Sequence, residues 1–134
     1  MDVFHTFQFP KSERIVRQKL VEALFTESRS RSVSAFPLRA VYCLQASAAV
    51  ESPVQVLISV PKKRLHHAVD RNRTKRQIRE AWRHNKHLLD VAALPADRSL
   101  LVAFVWQADA LKATPTVDTC MKTILTRMAE RLKQ

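Results

Sequence analysis

The stretch "VQVLISVPKKRLHHAVDRNRTKRQIREAWR", residues 54–83, decides the fold because its hydrophobic period changes within a few residues. Apolar residues alternate through 54–60, a period of two that is typical of a β-strand. Pro61 ends that pattern. From Asp70, a candidate N-cap, to about His87 the apolar spacing becomes helical. The segment predicts a strand that leads through a basic loop into a basic helix.

On a helical wheel of about 100° per residue, the basic helix divides into two neighbouring arcs. The arc that predicts a face packed on a sheet holds Thr74, Ile78, Ala81 and Trp82. The other arc has five hydrogen-bond donors and no acid: Asn72, Lys75, Arg76, Arg79 and Arg83. Arg71 lies at its border, whereas Arg73 and Glu80 lie elsewhere.

The basic arc predicts a surface that binds phosphate groups. Basic residues follow one another at i, i+4 through 71, 75, 79 and 83, which is destabilising unless anions lie between them. Arginine predominates, and its planar guanidinium group matches two phosphate oxygens at once. Lys62, Lys63 and Arg64 extend the arc beyond the end of the strand. A charged surface helix without a partner is the alternative.

The charge of the whole chain points the same way. Its 134 residues predict a single domain, 1–134, and 46% are hydrophobic. The formal net charge is +11, which favours a polyanionic partner, most commonly nucleic acid. No apolar stretch approaches the ~20 residues that span a bilayer, and the N-terminus lacks the order of a signal peptide, so we expect no membrane contact and a cytoplasmic protein. Glycine is absent, which excludes Gly-rich phosphate loops.

The other segments predict the rest of an α/β chain, an α+β two-layer sandwich. The expected elements are a helix at 12–26, a short edge strand near 32–34, strands at 38–44 and 99–106, and a last helix capped by Thr114 with Pro115 at its first position. Residues 99–106 are continuously apolar, which is typical of a strand covered on both faces. Cys43 and Cys120 predict two buried, reduced thiols. The order is α-β-β-β-α-β-α.

The basic segment resembles the signature of the protein subunit of bacterial ribonuclease P, a strand ending in Ser-x-x-Lys-Lys and then Ala-x-x-Arg-Asn-Arg-x-Lys-Arg-x-x-Arg-Glu. The matching residues are Ser59, Lys62, Lys63, Ala68, Arg71, Asn72, Arg73, Lys75, Arg76, Arg79 and Glu80. A weaker likeness covers nearly the whole chain. The resemblance implies a four-stranded sheet in which the basic helix crosses between two parallel central strands, with an uncommon left-handed crossover.

The resemblance also implies a function. The chain would be the accessory subunit of an endoribonuclease that removes the 5′ leader of precursor tRNA, while a catalytic RNA and its bound magnesium carry out the hydrolysis. It implies no catalytic residue, no metal bound by the protein alone and no obligate protein partner. Contacts with the catalytic RNA would come from Lys62, Lys63, Arg64, Arg71, Asn72, Arg73, Lys75, Arg76, Arg79 and Arg83.

The resemblance further implies a cleft that holds the leader. Its best-matching aromatic residues are Phe25 and Tyr42, followed by Phe36 and Phe9; core packing is the alternative for Phe25 and Tyr42. Two departures concern this region. His66 and His67 replace the family's usual Gly-Asn before the basic helix, and Val21 stands where a second cleft aromatic is common.

Two other classes of function remain open on the residues alone. One is a structural RNA-binding protein of ribosomal type with no role in tRNA processing. The other is a DNA-binding module that places the basic helix in the major groove, although the basic arc has few side chains suited to reading base edges. A nuclease site within the protein is disfavoured because no acids are paired at a spacing suited to two-metal hydrolysis.

Overall fold

The computed structural model describes residues 30–46, 54–89 and 98–132. Its main elements are β1 Arg31–Ala35, β2 Leu38–Ala46, β3 Val54–Ser59, α1 Ala68–Asn85, β4 Arg98–Trp106 and α2 Thr114–Leu132. A 3₁₀ turn, Lys86–Leu88, follows α1. The order of these elements agrees with the predicted order. The predicted helix at 12–26 lies outside the described residues.

The four strands form one mixed sheet in the order β1-β2-β4-β3. β1 and β4 each pair antiparallel with β2, and β3 pairs parallel with β4. The basic helix α1 therefore connects two parallel strands, as predicted. β4 is central, whereas β3 forms one edge of the described sheet, which corrects the expectation that both are central. The reason is that β4 lies between β2 and β3, and no described strand pairs with the other side of β3. The handedness of the crossover stays a prediction.

The core lies between one face of the sheet and the two helices. Alternate strand residues point into it, because side chains alternate between the two faces of a sheet. From α1 it receives Ile78, Ala81 and Trp82, and from α2 Val117, Met121, Ile124, Leu125 and Met128. The ring of Trp82 packs against that of Phe104, with centroids 5.8 Å apart and planes tilted by 46°. Burying each large side chain stabilises the fold by about 1.5–3 kcal/mol.

Both faces of β4 are buried, as its apolar sequence predicts. Leu100 and Phe104 point towards the helices, whereas Leu101 and Ala103 point to the opposite face, and all four side chains are fully buried. Both cysteines are buried and neither forms a disulfide, which confirms the prediction of reduced thiols.

Helix α1 begins two residues before the predicted N-cap, Asp70. The carbonyl oxygen of His67 accepts hydrogen bonds from the N–H groups of Asp70 and Arg71, both at 3.1 Å, so the N-cap is His67. Its backbone is extended, with φ −87° and ψ 131°, and no residue in the described ranges has a positive φ. The turn into the helix therefore needs no glycine.

Helix α2 also begins earlier than its cap signal suggests. Thr114 is its first residue rather than its cap, and the carbonyl oxygen of Ala113 accepts the N–H groups of Thr116 and Val117 at 3.0 and 3.2 Å. The hydroxyl of Thr114 is used elsewhere, because it accepts a 3.0 Å hydrogen bond from Gln77 of α1.

Two arginines of α2 hydrogen-bond to the backbone of the edge strand β1. The guanidinium group of Arg127 donates to the carbonyl oxygen of Ser34 at 3.1 Å, and that of Arg131 donates to Ser32 at 2.8 Å. These charged side chains occupy carbonyl groups that a second strand would otherwise pair with.

A polar contact joins the two helices. The side-chain amide of Asn85 is buried and donates hydrogen bonds to Ala81 and, at 2.7 Å, to the carboxylate of Asp118. Lys122 lies 3.1 Å from the same carboxylate. Burial raises the pKa of Asp118, but the hydrogen bond from Asn85 and the ammonium group of Lys122 outweigh it, so the pKa lies below its ordinary value.

We expect Asp118→Asn to lower the free energy of unfolding by about 1–2 kcal/mol at neutral pH, because a charged hydrogen-bond acceptor is lost. A lowered pKa means that the carboxylate stabilises the fold above its unfolded-state pKa of about 3.9, and that this contribution disappears as the pH falls through the lower folded-state value. Urea unfolding from pH 7 to pH 3 should show the difference from wild type shrinking below about pH 4.

Glu130→Gln is the matched control, since it removes one negative charge from an exposed position on the same helix. A difference between Asp118→Asn and wild type that stays constant down to pH 3 would contradict the assignment.

Candidate nucleic-acid interface

The buried side of α1 determines which of its side chains face outward. Its buried residues are Thr74, Gln77, Ile78, Ala81, Trp82 and Asn85. All four residues predicted to face the sheet are among them. Because a helix turns by about 100° per residue, the remaining side chains between Arg71 and Arg83 project away from the core.

The outward side of α1 is dominated by cations. Asn72, Arg73, Arg76 and Arg79 are exposed, and Lys75 is half-buried. We call these five residues the basic face. The helical wheel placed Arg73 outside the basic arc. Its side chain is nevertheless exposed beside Asn72, so the exposed basic surface is wider than the arc.

Lys62 and Lys63 extend the basic face at the end of β3. Both are exposed in a tight turn in which the carbonyl oxygen of Pro61 accepts the N–H groups of Arg64 and Leu65 at 3.0 and 3.3 Å. Leu65 anchors the turn because its side chain is buried in the core. The two ammonium groups are thus held near the start of α1.

Three of the predicted RNA-binding arginines have partners within the protein, and their contact with RNA stays a prediction. Arg71 is half-buried, and its guanidinium group donates to the carbonyl oxygens of Leu65 and His66 at 3.0 and 2.8 Å. Arg83 pairs with Glu80 one turn earlier on α1. Arg64 pairs with Asp109 at 3.1 Å. Arg71 thereby stabilises the turn at His66 and His67, where the family usually has Gly-Asn, so its role is partly structural.

The cations of the basic face lack such partners. Among the described residues, no acidic side chain forms an ion pair with Lys62, Lys63, Arg73, Lys75, Arg76 or Arg79. Lys75 and Arg79 are four residues apart and Arg76 and Arg79 three apart, so like charges are neighbours on the helix surface. Phosphate groups placed between them would turn this repulsion into attraction, because each guanidinium group can donate two parallel hydrogen bonds to phosphate oxygens.

The predicted leader-cleft aromatics do not share one environment. Phe9 and Phe25 lie outside the described residues. Tyr42 is only 2% exposed within the core, and its phenolic oxygen has no described hydrogen-bond partner. Phe36 is 68% exposed in the turn between β1 and β2. The burial of Tyr42 supports the core-packing alternative, and its contact with a leader stays a prediction.

Lys112 is a candidate functional residue that the sequence did not single out. Its ammonium group lies 5.9 Å from the centre of the Phe36 ring. Lys112 belongs to the connection between β4 and α2, far from Phe36 in sequence, and it has no basic neighbours to mark it. Only the tertiary fold brings the two residues together.

The part of the chain that the structure describes has no group of three or more His, Cys, Asp or Glu residues that could hold a metal ion. The prediction that the protein alone binds no metal stays untested. Within the same ranges, neither helix combines the length and the apolar character needed to cross a bilayer.

Comparisons with known proteins identify the family. Residues 9–128 match the sequence profile of the family described as ribonuclease P. The ribonuclease P protein component of Porphyromonas gingivalis is 39% identical over 124 residues, which cover 92% of this chain and 88% of that protein. The chain belongs to the ribonuclease P protein family. The corresponding protein of Chlorobium phaeobacteroides is 35% identical over 89 residues, which cover 66% of this chain and 61% of that protein.

Two solved ribonuclease P proteins share the fold. That of Staphylococcus aureus superposes with a TM-score of 0.66 at 20% identity, covering 91% of this chain and 99% of the other. That of Thermotoga maritima gives a TM-score of 0.60 at 20% identity, covering 88% and 97%. These likenesses confirm the predicted α+β fold with its four-stranded sheet.

Membership in the ribonuclease P protein family settles the general function. The chain is a protein component of ribonuclease P, an endoribonuclease complex of tRNA processing, and its partner is the RNA of that complex. The ribosomal-type and DNA-binding alternatives are thereby set aside. The cations of the basic face are of the kind that can bind the phosphate groups of an RNA.

We expect Arg76→Ala combined with Arg79→Ala to weaken binding to ribonuclease P RNA and to reduce the slope of log affinity against log salt by about 1.5, because two phosphate contacts are lost. Filter binding from 50 to 400 mM salt measures both quantities. Arg64→Ala with Arg83→Ala removes the same charge from residues that already have acidic partners, so this control should change the slope less. Equal slopes for the two double variants would contradict the distinction.

Proposed function

We propose that the basic face of α1, together with Lys62 and Lys63, docks this chain onto the RNA of ribonuclease P through phosphate contacts. The observation that carries the proposal is the row of cations without described acidic partners, beside arginines that do have them. Docking through phosphates recognises the shape of a folded RNA rather than its sequence. Asn72 adds an amide that can hydrogen-bond to a phosphate or a ribose.

We further propose that the docked chain contacts the 5′ leader of precursor tRNA and so favours the leader-bearing substrate over the mature tRNA. Phe25 is the first candidate for this contact, with Phe9 as a second. Tyr42 is a weaker candidate, because its buried ring would need to move before it could stack on a base. A base stacked on an aromatic ring contributes about 1–3 kcal/mol of binding energy.

The chemistry of cleavage belongs to the RNA in this proposal. Magnesium ions held mainly by the RNA would activate water and stabilise the leaving oxygen. The protein would contribute by neutralising phosphate repulsion, which lowers the magnesium concentration needed for a folded, active complex. A cytoplasmic location and independence from any other protein are part of the same proposal.

Reconstitution tests this division of labour. Purified protein is mixed with its cognate RNA and precursor tRNA at limiting magnesium, and cleavage at the mature 5′ end is followed. We expect the protein to accelerate cleavage at least tenfold at limiting magnesium and to have little effect at high magnesium. The protein alone should cleave nothing; cleavage without RNA, or no gain on adding protein, would refute the proposal.

Two aromatic variants test the leader contact. Phe25→Ala should weaken binding of leader-bearing precursor about fivefold or more while leaving mature tRNA unchanged. Tyr42→Phe should change neither binding nor stability, because it removes a buried hydroxyl that has no described partner. A selective loss of precursor binding in Tyr42→Phe would instead assign the phenol to the leader.

A further inference from the structure

Phe36 is an exposed aromatic ring at a position where the backbone is well held. Among the described residues, Phe36 and Val69 are the large apolar side chains that are exposed, at 68% and 78%. Burying an aromatic ring would normally stabilise a fold, so an exposed ring on a firm support is a candidate for contact with a partner.

Two hydrogen bonds from other segments hold the backbone of the turn that carries Phe36. The N–H group of Gln107 donates to the carbonyl oxygen of Pro37 at 2.8 Å. The thiol of Cys120 donates to the carbonyl oxygen of Phe36 at 3.4 Å. Pro37 itself is buried. The turn is therefore attached to the end of β4 and to α2. Binding of a partner to Phe36 costs little conformational entropy, because the backbone of the turn is already ordered.

Lys112 connects this ring to the basic helix. Its ammonium group stands 5.9 Å from the ring centre, at the outer limit of a cation–π contact, and its carbonyl oxygen accepts a 3.1 Å hydrogen bond from Gln77 of α1. Arg73 lies one helical turn before Gln77 and is exposed. Phe36 is thus linked to α1 through Lys112 and Gln77.

An aromatic ring beside ammonium and guanidinium groups suits one class of ligand, an unpaired nucleotide. The ring offers a stacking surface to the base, and the cations offer contacts to its phosphate. The high positive charge of the chain disfavours most protein surfaces as partners and favours a polyanion.

The position of Phe36 separates it from the predicted leader cleft. Tyr42, the other described aromatic of that predicted cleft, is the fifth residue of β2, and the strand rises about 3.3 Å per residue away from the turn that carries Phe36. Tyr42 is also buried, whereas Phe36 is exposed and close to α1 through Lys112 and Gln77. The described contacts of Phe36 therefore lead through Lys112 to α1, the helix that carries the basic face, and not to the interior around Tyr42.

We propose that Phe36 stacks on an unpaired base of the ribonuclease P RNA, with Lys112 binding an adjacent phosphate. This contact rests on the proposed docking through the basic face and adds a stacking interaction beside the phosphate contacts. It involves the RNA subunit and does not require a precursor tRNA.

The experiment measures binding of the full-length protein to the RNA subunit alone. Phe36→Ala should raise the Kd about five- to 150-fold without changing the salt slope, since no charge is removed. Phe36→Trp should retain wild-type affinity. Lys112→Ala should weaken binding and reduce the salt slope by about 0.7. Val69→Ala, which truncates the other exposed apolar residue, is the control and should change the Kd less than twofold.

The outcomes separate this proposal from the docking proposal. If Phe36→Ala binds the RNA like Val69→Ala while Arg76→Ala with Arg79→Ala still weakens binding, the stacking contact is refuted and docking stands. If Phe36→Ala loses affinity only for leader-bearing precursor, the ring contacts the leader and the proposal is overturned. Urea unfolding of each variant checks that the fold is intact.

Discussion

The packing of one side of α1 against the sheet is the constraint on which the remaining structure depends. Ile78 and Trp82 are held in the core, with the ring of Trp82 against Phe104, and this contact fixes the rotation of the helix. Once the rotation is fixed, the cations can only face outward. The surface proposed to meet the RNA is therefore positioned by apolar burial, whereas we expect binding through it to be electrostatic and to weaken with salt.

The cations around α1 divide into two groups with different roles. Arg64, Arg71 and Arg83 have carboxylate or carbonyl partners within the protein and stabilise the approach to the helix or its surface. Lys75, Arg76 and Arg79 have no described acidic partner and repel one another. Phosphate groups of a partner would relieve this repulsion, since no carboxylate in the described ranges does so. A basic signature alone cannot show this division, because partners such as Asp109 are distant in sequence.

Sequence periodicity was sufficient to predict the strands, the two described helices and the inward residues of α1, because hydrophobic alternation is a local signal. It misplaced the start of α1, because Asp70 is the residue type that favours an N-cap, whereas the observed N-cap, His67, has no side-chain cap hydrogen bond. It did not reveal the edge position of β3, the environment of Tyr42 or the approach of Lys112 to Phe36. Each of these depends on contacts between segments far apart in the chain.

Lysine footprinting shows directly whether the RNA docks on the basic face and on Lys62 and Lys63. Acetylation of the free protein and of its complex with ribonuclease P RNA is compared by mass spectrometry at each lysine. If the RNA docks on the basic face, we expect strong protection of Lys62, Lys63 and Lys75 in the complex. We expect none at Lys122, which lies beside Asp118 on α2. Protection of Lys122 with continued modification of Lys75 would show that the RNA binds another surface and would refute docking through the basic face.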